Sequence, residues 1–174
     1  VATHVDGVLH GHWTRWAPDG RQAEDGTYLR GEKEGPWRLE TADGGVVLIH
    51  YREGLRHGPR IRLFPGGQKA QEETFVNGKS SGPIKSWHRN GGLASEGVSV
   101  AGQLEGVHSR WYATGEAQSK MIYHQGLLEG KARNWFVDGR LRQEGGFSKG
   151  LKEGVWTEWQ EDGGWKTVGW VEGE

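Results

Sequence analysis

Glycine recurs at a fixed step along this chain: Gly7, Gly31, Gly54, Gly78, Gly102, Gly126, Gly150 and Gly173 stand 24 or 23 residues apart. A second glycine follows four residues after each of the first seven (11, 35, 58, 82, 106, 130, 154), and a third nine residues later again (20, 44, 67, 91, 115, 139, 163). Such self-similarity marks a repeat array, in which each unit buries apolar surface only against its neighbours. The expected units are 7–30, 31–53, 54–77, 78–101, 102–125, 126–149 and 150–174, preceded by residues 1–6 as the last strand of an incomplete unit. Together they read as a single array over residues 1–174, with one-residue deletions late in units two and seven.

Within a unit the third glycine mostly follows a turn residue: Asp19, Asp43, Asn90, Asp138 and Asp162, with Gly66 and Thr114 as exceptions. Asp-Gly and Asn-Gly between runs rich in Trp, Tyr, Phe, Val and Thr predict a two-residue hairpin turn and two antiparallel strands per unit. In such a hairpin opposed residues have numbers of constant sum, 39 in unit one. Gly11 then faces Tyr28, Gly58 faces Phe75, Gly106 faces Tyr123 and Gly130 faces Phe147, laying a ring across bare backbone each time. Trp16 faces Ala23, Leu63 faces Ala70 and Trp87 faces Ala94, large against small, while Lys85 meets Glu96 and Arg133 meets Glu144. The same register sends the aromatics to opposite faces in two stripes; a longer turn with a glycine bulge would bring them to one side. Units two and seven, one residue short, are expected to use another turn or a bulge.

The predicted fold is all-β: an elongated, single-layer antiparallel meander of seven stacked β-hairpins, about 15 strands over roughly 70 Å, with minimal helix. Fewer than one residue in five is Leu, Ile, Val or Phe, so cohesion must come from aromatic rings, ten of them Trp. A formal net charge of −1 argues against disorder and against nucleic acid, which calls for a basic face. No apolar run is long enough for a helical membrane span. The absence of cysteine suits a reducing or an oxidising compartment, so cytoplasm and cell envelope both stay open.

The unit Gly126-Leu127-Leu128-Glu129-Gly130-Lys131-Ala132-Arg133-Asn134-Trp135-Phe136-Val137-Asp138-Gly139, followed by Glu144 and Phe147, resembles the MORN repeat. It is most similar to the bacterial variant of about 24 residues, some members of which carry an antitoxin label that adds no functional expectation. All seven units match, through the glycines, the aromatic at Trp16, Trp87, Trp111, Trp135 and Trp159, and the ring three residues before the next boundary (28, 51, 75, 123, 147, 170). Glu40, Leu63 and Ser99 depart from the pattern and interrupt the aromatic rows. The resemblance implies a sheet of hairpins serving protein association or scaffolding, in some members contact with membrane lipid, and no catalytic residue.

The residues themselves agree that the chain is not an enzyme. Asp25, Glu72, Glu96 and Glu144 recur one per unit, but equivalent positions two strands apart lie about 10 Å from each other, too far for paired-carboxylate chemistry at this spacing. His10 and His12, with His4 nearby, lack a repeated or cysteine-containing ligand set, so no metal or other cofactor is expected. The recurrent Gly-x-x-x-Gly lacks the Lys-Ser/Thr of a phosphate loop. The principal site expectation is the stripe Trp16, Trp87, Trp111, Trp135 and Trp159 as a surface for a protein partner, because Trp concentrates at binding hot spots. A second is Arg52, Arg56, Arg60 and Arg62 as a patch for anionic lipid or another acidic partner. A third is glycan or choline recognition by rings repeated in glycine-rich hairpins. An exposed edge strand also offers pairing with another copy of the chain.

Overall fold

A computed structural model describes residues 2–170. The chain is all-β, every described strand is antiparallel to its partner, and no helix occurs among the described residues. It divides into two compact units, 1–82 and 83–174.

The first unit contains β1 (Ala2–Val5), β2 (Val8–Trp16), β3 (Gln22–Leu29), β4 (Glu32–Glu40), β5 (Val46–Arg52), β6 (Leu55–Leu63), β7 (Lys69–Val76) and β8 (Lys79–Ser80), each paired with the next. Next come β9 (Gly82–Trp87), β10 (Leu93–Val100), β11 (Gln103–Trp111), β12 (Ala117–His124), β13 (Leu127–Leu128), β14 (Gly130–Trp135), β15 (Leu141–Ser148), β16 (Leu151–Trp159) and β17 (Trp165–Trp170). These make the second unit, also a single-layer meander in chain order, with both β13 and β14 pairing to β12.

The two-residue turns lie elsewhere than the sequence suggests. They fall at the unit boundaries, where Asp6, Arg30, Glu53, Asn77, Ala101, Gln125 and Lys149 all have φ between 48° and 52° and each precedes a glycine of positive φ. Positive φ at both central residues defines the type I′ turn that matches strand twist. Asparagine bears this conformation better than alanine, and Asn77 already occupies one of the seven positions. Ala101→Asn is therefore expected to stabilise the second unit by about 0.5–1 kcal/mol, read as a rise in the urea midpoint; a fall would contradict the turn assignment.

At the third glycine of each unit the connection is a three-residue loop. In unit one Ala17 N–H donates to Arg21 O (2.8 Å) and Gly20 N–H to Ala17 O (3.0 Å). The acidic or amide residue earns its place by capping: Asp19 Oδ1 accepts from Arg21 N–H, Asn90 Oδ1 from Gly92 N–H, Asp138 Oδ1 from Arg140 N–H and Asp162 Oδ1 from Gly164 N–H, at 2.8–3.1 Å. The odd-numbered loop shifts the pairing by one, and an extra residue on the return strand shifts it back. Arg15 faces Glu24 but Trp16 faces Gln22, leaving Ala23 as a bulge. Likewise Leu63 faces Lys69 and leaves Ala70 out. The expected Trp16–Ala23 and Leu63–Ala70 pairs are thus corrected, whereas Gly11–Tyr28, Gly58–Phe75, Gly106–Tyr123, Gly130–Phe147 and Arg133–Glu144 stand as expected.

Units two and seven keep the same loop, Thr41 N–H to Gly45 O and Gln160 N–H to Gly164 O. Their pairing runs unshifted from Gly35–Tyr51 to Glu40–Val46 and from Gly154–Trp170 to Trp159–Trp165. The deleted residue is the bulge itself. Neighbouring units are also stapled at the boundaries. Gly31, Gly54, Gly78, Gly126 and Gly150 donate N–H groups to the carbonyls of Leu9, Lys33, Arg56, Leu104 and Leu128 at 2.8–3.0 Å. Glu34, Glu105 and Glu129 accept from the amides of Glu53, Gln125 and Lys149 at 2.8–2.9 Å.

Strand alternation gives each sheet a core face and an outer face. In the first unit Trp37, Val47 and Ile49 are buried on the core face, with Trp13, Tyr28, Leu39 and Tyr51 packed around them. Gly26 lies under the Trp37 indole: a Cβ there would stand 2.2 Å from Cδ2. Gly97 lies in the same way under His108, and Gly145 under Trp156. At the glycines expected to lie under a facing ring, that ring does not come within 4 Å of where a Cβ would be. A Cβ on Gly106 would meet nothing within 4 Å, and those on Gly11, Gly58 and Gly130 would meet Thr3, His50 and Ile122 instead of the facing ring. Positive φ, not a covering ring, is what requires glycine at these positions.

Candidate functional site

The core face carries one construction twice. In the first unit Lys33 Nζ lies 3.9 Å from the centroid of Trp37 and 5.3 Å from that of Tyr51, while Tyr28 meets Trp37 edge-on at 5.1 Å. In the second unit Lys152 Nζ lies 4.2 Å from Trp156 and 5.3 Å from Trp170, and Phe147 meets Trp156 edge-on at 5.0 Å. Both indoles donate Nε1–H to a carbonyl, of Thr27 and of Gly146. Burial holds the Lys33 ammonium below the usual lysine range and pushes the Tyr28 hydroxyl up. Trp37 and Trp156 are 2 % and 1 % exposed, so these clusters consume their own rings as a core.

The outer face is different. Among the described residues of the first unit every exposed large apolar one, Val5, Val8, Trp16, Leu29, Leu48, Leu55 and Val76, alternates onto the face opposite Trp37. In the second unit Val98, Val100, Val107, Leu127, Leu151, Val155 and Trp165 lie opposite His108 and Trp156, whereas Val168 and Trp170, also exposed, lie on the core face of the terminal strand. The aliphatics at the boundary turns were not anticipated from sequence. Their signal was available, since an apolar residue stands beside the boundary pair in most units, as Val5–Val8, Leu55 and Leu127 show.

The expected tryptophan stripe lies on this outer face, three residues past the core position on each first strand. Trp16 is 56 % exposed, while Trp87, Trp111, Trp135 and Trp159 are half-buried. Between the aliphatic row and the tryptophans runs a band of ion pairs, with Glu144 held by Lys131 (3.2 Å) and Arg133 (3.1 Å).

The four arginines of unit three do not share a surface. Arg56, Arg60 and Arg62 fall on the core face and Arg52 on the outer one. Arg60 pairs with Glu73 at 2.9 Å, Arg62 with Asp43 at 2.7 Å, and Arg56 sits 5.4 Å over the Phe75 ring. His12 Nε2 lies 3.1 Å from Asp25 Oδ1 and 3.0 Å from Thr14 Oγ. No three His, Asp or Glu side chains converge on a metal position among the described residues.

Several carboxylates on the loops and ladders titrate below their ordinary values of 3.8 and 4.5. Asp19 and Asp138 are held down first by the backbone amides of Arg21 and Arg140, Asp43 by the Thr41 hydroxyl, Glu105 by the Gln125 amide, and Glu144 and Glu158 by their Arg133 and Lys166 partners. A depressed native pKa means the unfolded chain binds more protons as acid is added. The stabilisation is complete above the unfolded carboxylate range and is lost below it. The urea midpoint should hold level from pH 6 to 8 and fall steadily from about pH 4.5 downward; a midpoint unchanged at pH 3 would contradict these contacts.

Neither a protein family nor a curated protein matches the chain.

Proposed function

We propose that this chain is a non-catalytic protein-interaction or scaffold module of the MORN type, which presents its outer face to a protein partner. The observation that carries the reading is the separation of faces. Aromatic rings that cohere the sheet are buried on one side, while a second set of large apolar residues stays in solvent on the other, bordered by the tryptophan stripe. Half-buried indoles repeating about every 10 Å suit the anchoring role that Trp plays at interfaces. Attachment to anionic lipid is the weaker reading, since Arg60 and Arg62 already have carboxylate partners.

The test is capture of partners by the immobilised chain, followed by titration with the purified partner. Trp111→Ala combined with Trp135→Ala should weaken binding at least tenfold, while Trp13→Phe on the core face leaves it unchanged. Undiminished binding by the double variant, or turnover of a substrate at rates an enzyme shows, would overturn the proposal.

A further inference from the structure

Repetition makes it possible to separate what the fold needs from what it does not. In four of the units a residue is left out of register beside the three-residue loop: Ala23 in unit one, Ala70 in unit three, Gln118 in unit five and Arg142 in unit six. Both alanines are buried, at 8 % and 3 % exposure, so the site itself favours a small side chain. Arg142 is exposed. A long cation thus stands where two other units carry a buried alanine, and bulges commonly re-aim a side chain at functional places.

The surroundings say what it is aimed at. The Arg142 guanidinium lies 5.8 Å from the Phe136 centroid, as does that of Arg140. Arg140 is committed: it donates to Asp138 Oδ2 at 2.8 Å and to Glu161 O at 3.0 Å. Lys166 is likewise paired, to Glu158 at 3.1 Å. Among the described residues Arg142 makes no ion pair, and a guanidinium resting on a ring keeps its edge of N–H donors open to a planar oxyanion. It lines two hollows, one of about 550 Å³ with Phe136, Asp138 and Glu161, the other of about 240 Å³ with Trp159, Lys166 and Glu158; Asp138 and Glu158 are taken up by Arg140 and Lys166. Charge is therefore offered beside half-buried rings.

We infer that Arg142, with Phe136 and Trp159 beside it, is a recognition site for an acidic segment of the protein partner, a Glu or Asp carboxylate docking on the guanidinium and a neighbouring apolar side chain on the rings. This rests on the reading of the chain as an interaction module and names the chemistry of its partner.

The experiment is fluorescence anisotropy of a labelled hexapeptide, two glutamates on either side of Leu-Phe, titrated with the full chain. The glutamine analogue should bind at least tenfold more weakly. Arg142→Ala should lose at least tenfold in affinity, Arg142→Lys should fall between, and Arg15→Ala should match the wild type. Arg142→Ala installs the residue that units one and three already carry, so it folds. Inorganic phosphate, which offers the same oxyanion without the rings, should displace the peptide only at more than ten times the peptide's own concentration for half-saturation. Equal binding of the two peptides, unchanged affinity of Arg142→Ala, or displacement by phosphate at the peptide's concentration would each overturn the inference. If Arg142→Ala binds peptide normally while the Trp111/Trp135 double variant still loses its partner, this inference falls alone. If that double variant keeps its partner, the stripe reading falls and the peptide titration still decides the Arg142 site.

Discussion

Trp37→Ala should destabilise the first unit by about 3–5 kcal/mol, the range for emptying a buried tryptophan site. The indole is 2 % exposed, donates Nε1–H to Thr27 O at 3.2 Å, and meets Trp13, Tyr28 and Tyr51 with ring centroids 5.7, 5.1 and 6.1 Å away. No second layer can collapse into the void, so the cavity cost is felt nearly in full. Trp16→Ala is the control. That ring is 56 % exposed on the outer face, and its loss should change stability by no more than about 0.5 kcal/mol. Urea unfolding of both variants, with hydrogen exchange to localise the change to residues 1–82, checks the contrast. Equal effects would mean that the two faces are not distinguished as described.

The contrast between those two tryptophans shows where the sequence could be read and where it could not. Glycine spacing and strand composition lead directly to hairpins in series, and the pairing sum of unit one survives in five consecutive pairs from Gly11–Tyr28 to Arg15–Glu24. It survives because two irregularities cancel. The three-residue loop displaces the strands by one, and the Ala23 bulge restores them, so pairs away from the loop look as they would with a two-residue turn. The true type I′ turns were hidden because the residues bearing positive φ there include Arg30, Glu53, Gln125 and Lys149, which carry no turn signature.

The core was hidden for a different reason. Opposition within each hairpin does not reveal it, because the closest packing joins the second strand of one unit to the first strand of the next. Gly26 continues the Asp25–Arg38 pairing to lie beneath Trp37, across a boundary turn. The signal existed as reciprocity of size: glycine against Trp37, His108 and Trp156, and Met121 against Ala132, where the Lys120–Arg133 register continues. For the candidate site, alternation puts the tryptophans on the outer face, while of the four arginines Arg56, Arg60 and Arg62 share the core face and Arg52 takes the other. Charge clustering in sequence does not say which face a residue takes or which carboxylate a neighbouring strand brings, as Asp43 and Glu73 do.

That reciprocity yields the other large effect. Gly145→Met should cost about 3–5 kcal/mol, because its Cβ would stand 2.2 Å from Trp156 Cδ2 and the indole, 1 % exposed, must leave the site it fills. Trp156→Ala alone should cost a similar amount by leaving that site empty. Combined, the two substitutions reproduce the pair that the chain already holds at Met121 and Ala132, the latter 1 % exposed, with the thioether chain occupying the space the indole vacates. The double variant should therefore lose less than the sum of the two single losses, with a coupling of about 1–3 kcal/mol in the cycle of urea midpoints. Additive losses would show that ring and glycine are not packed as one element, and that the repeat's cohesion does not reside in pairs that bridge its units.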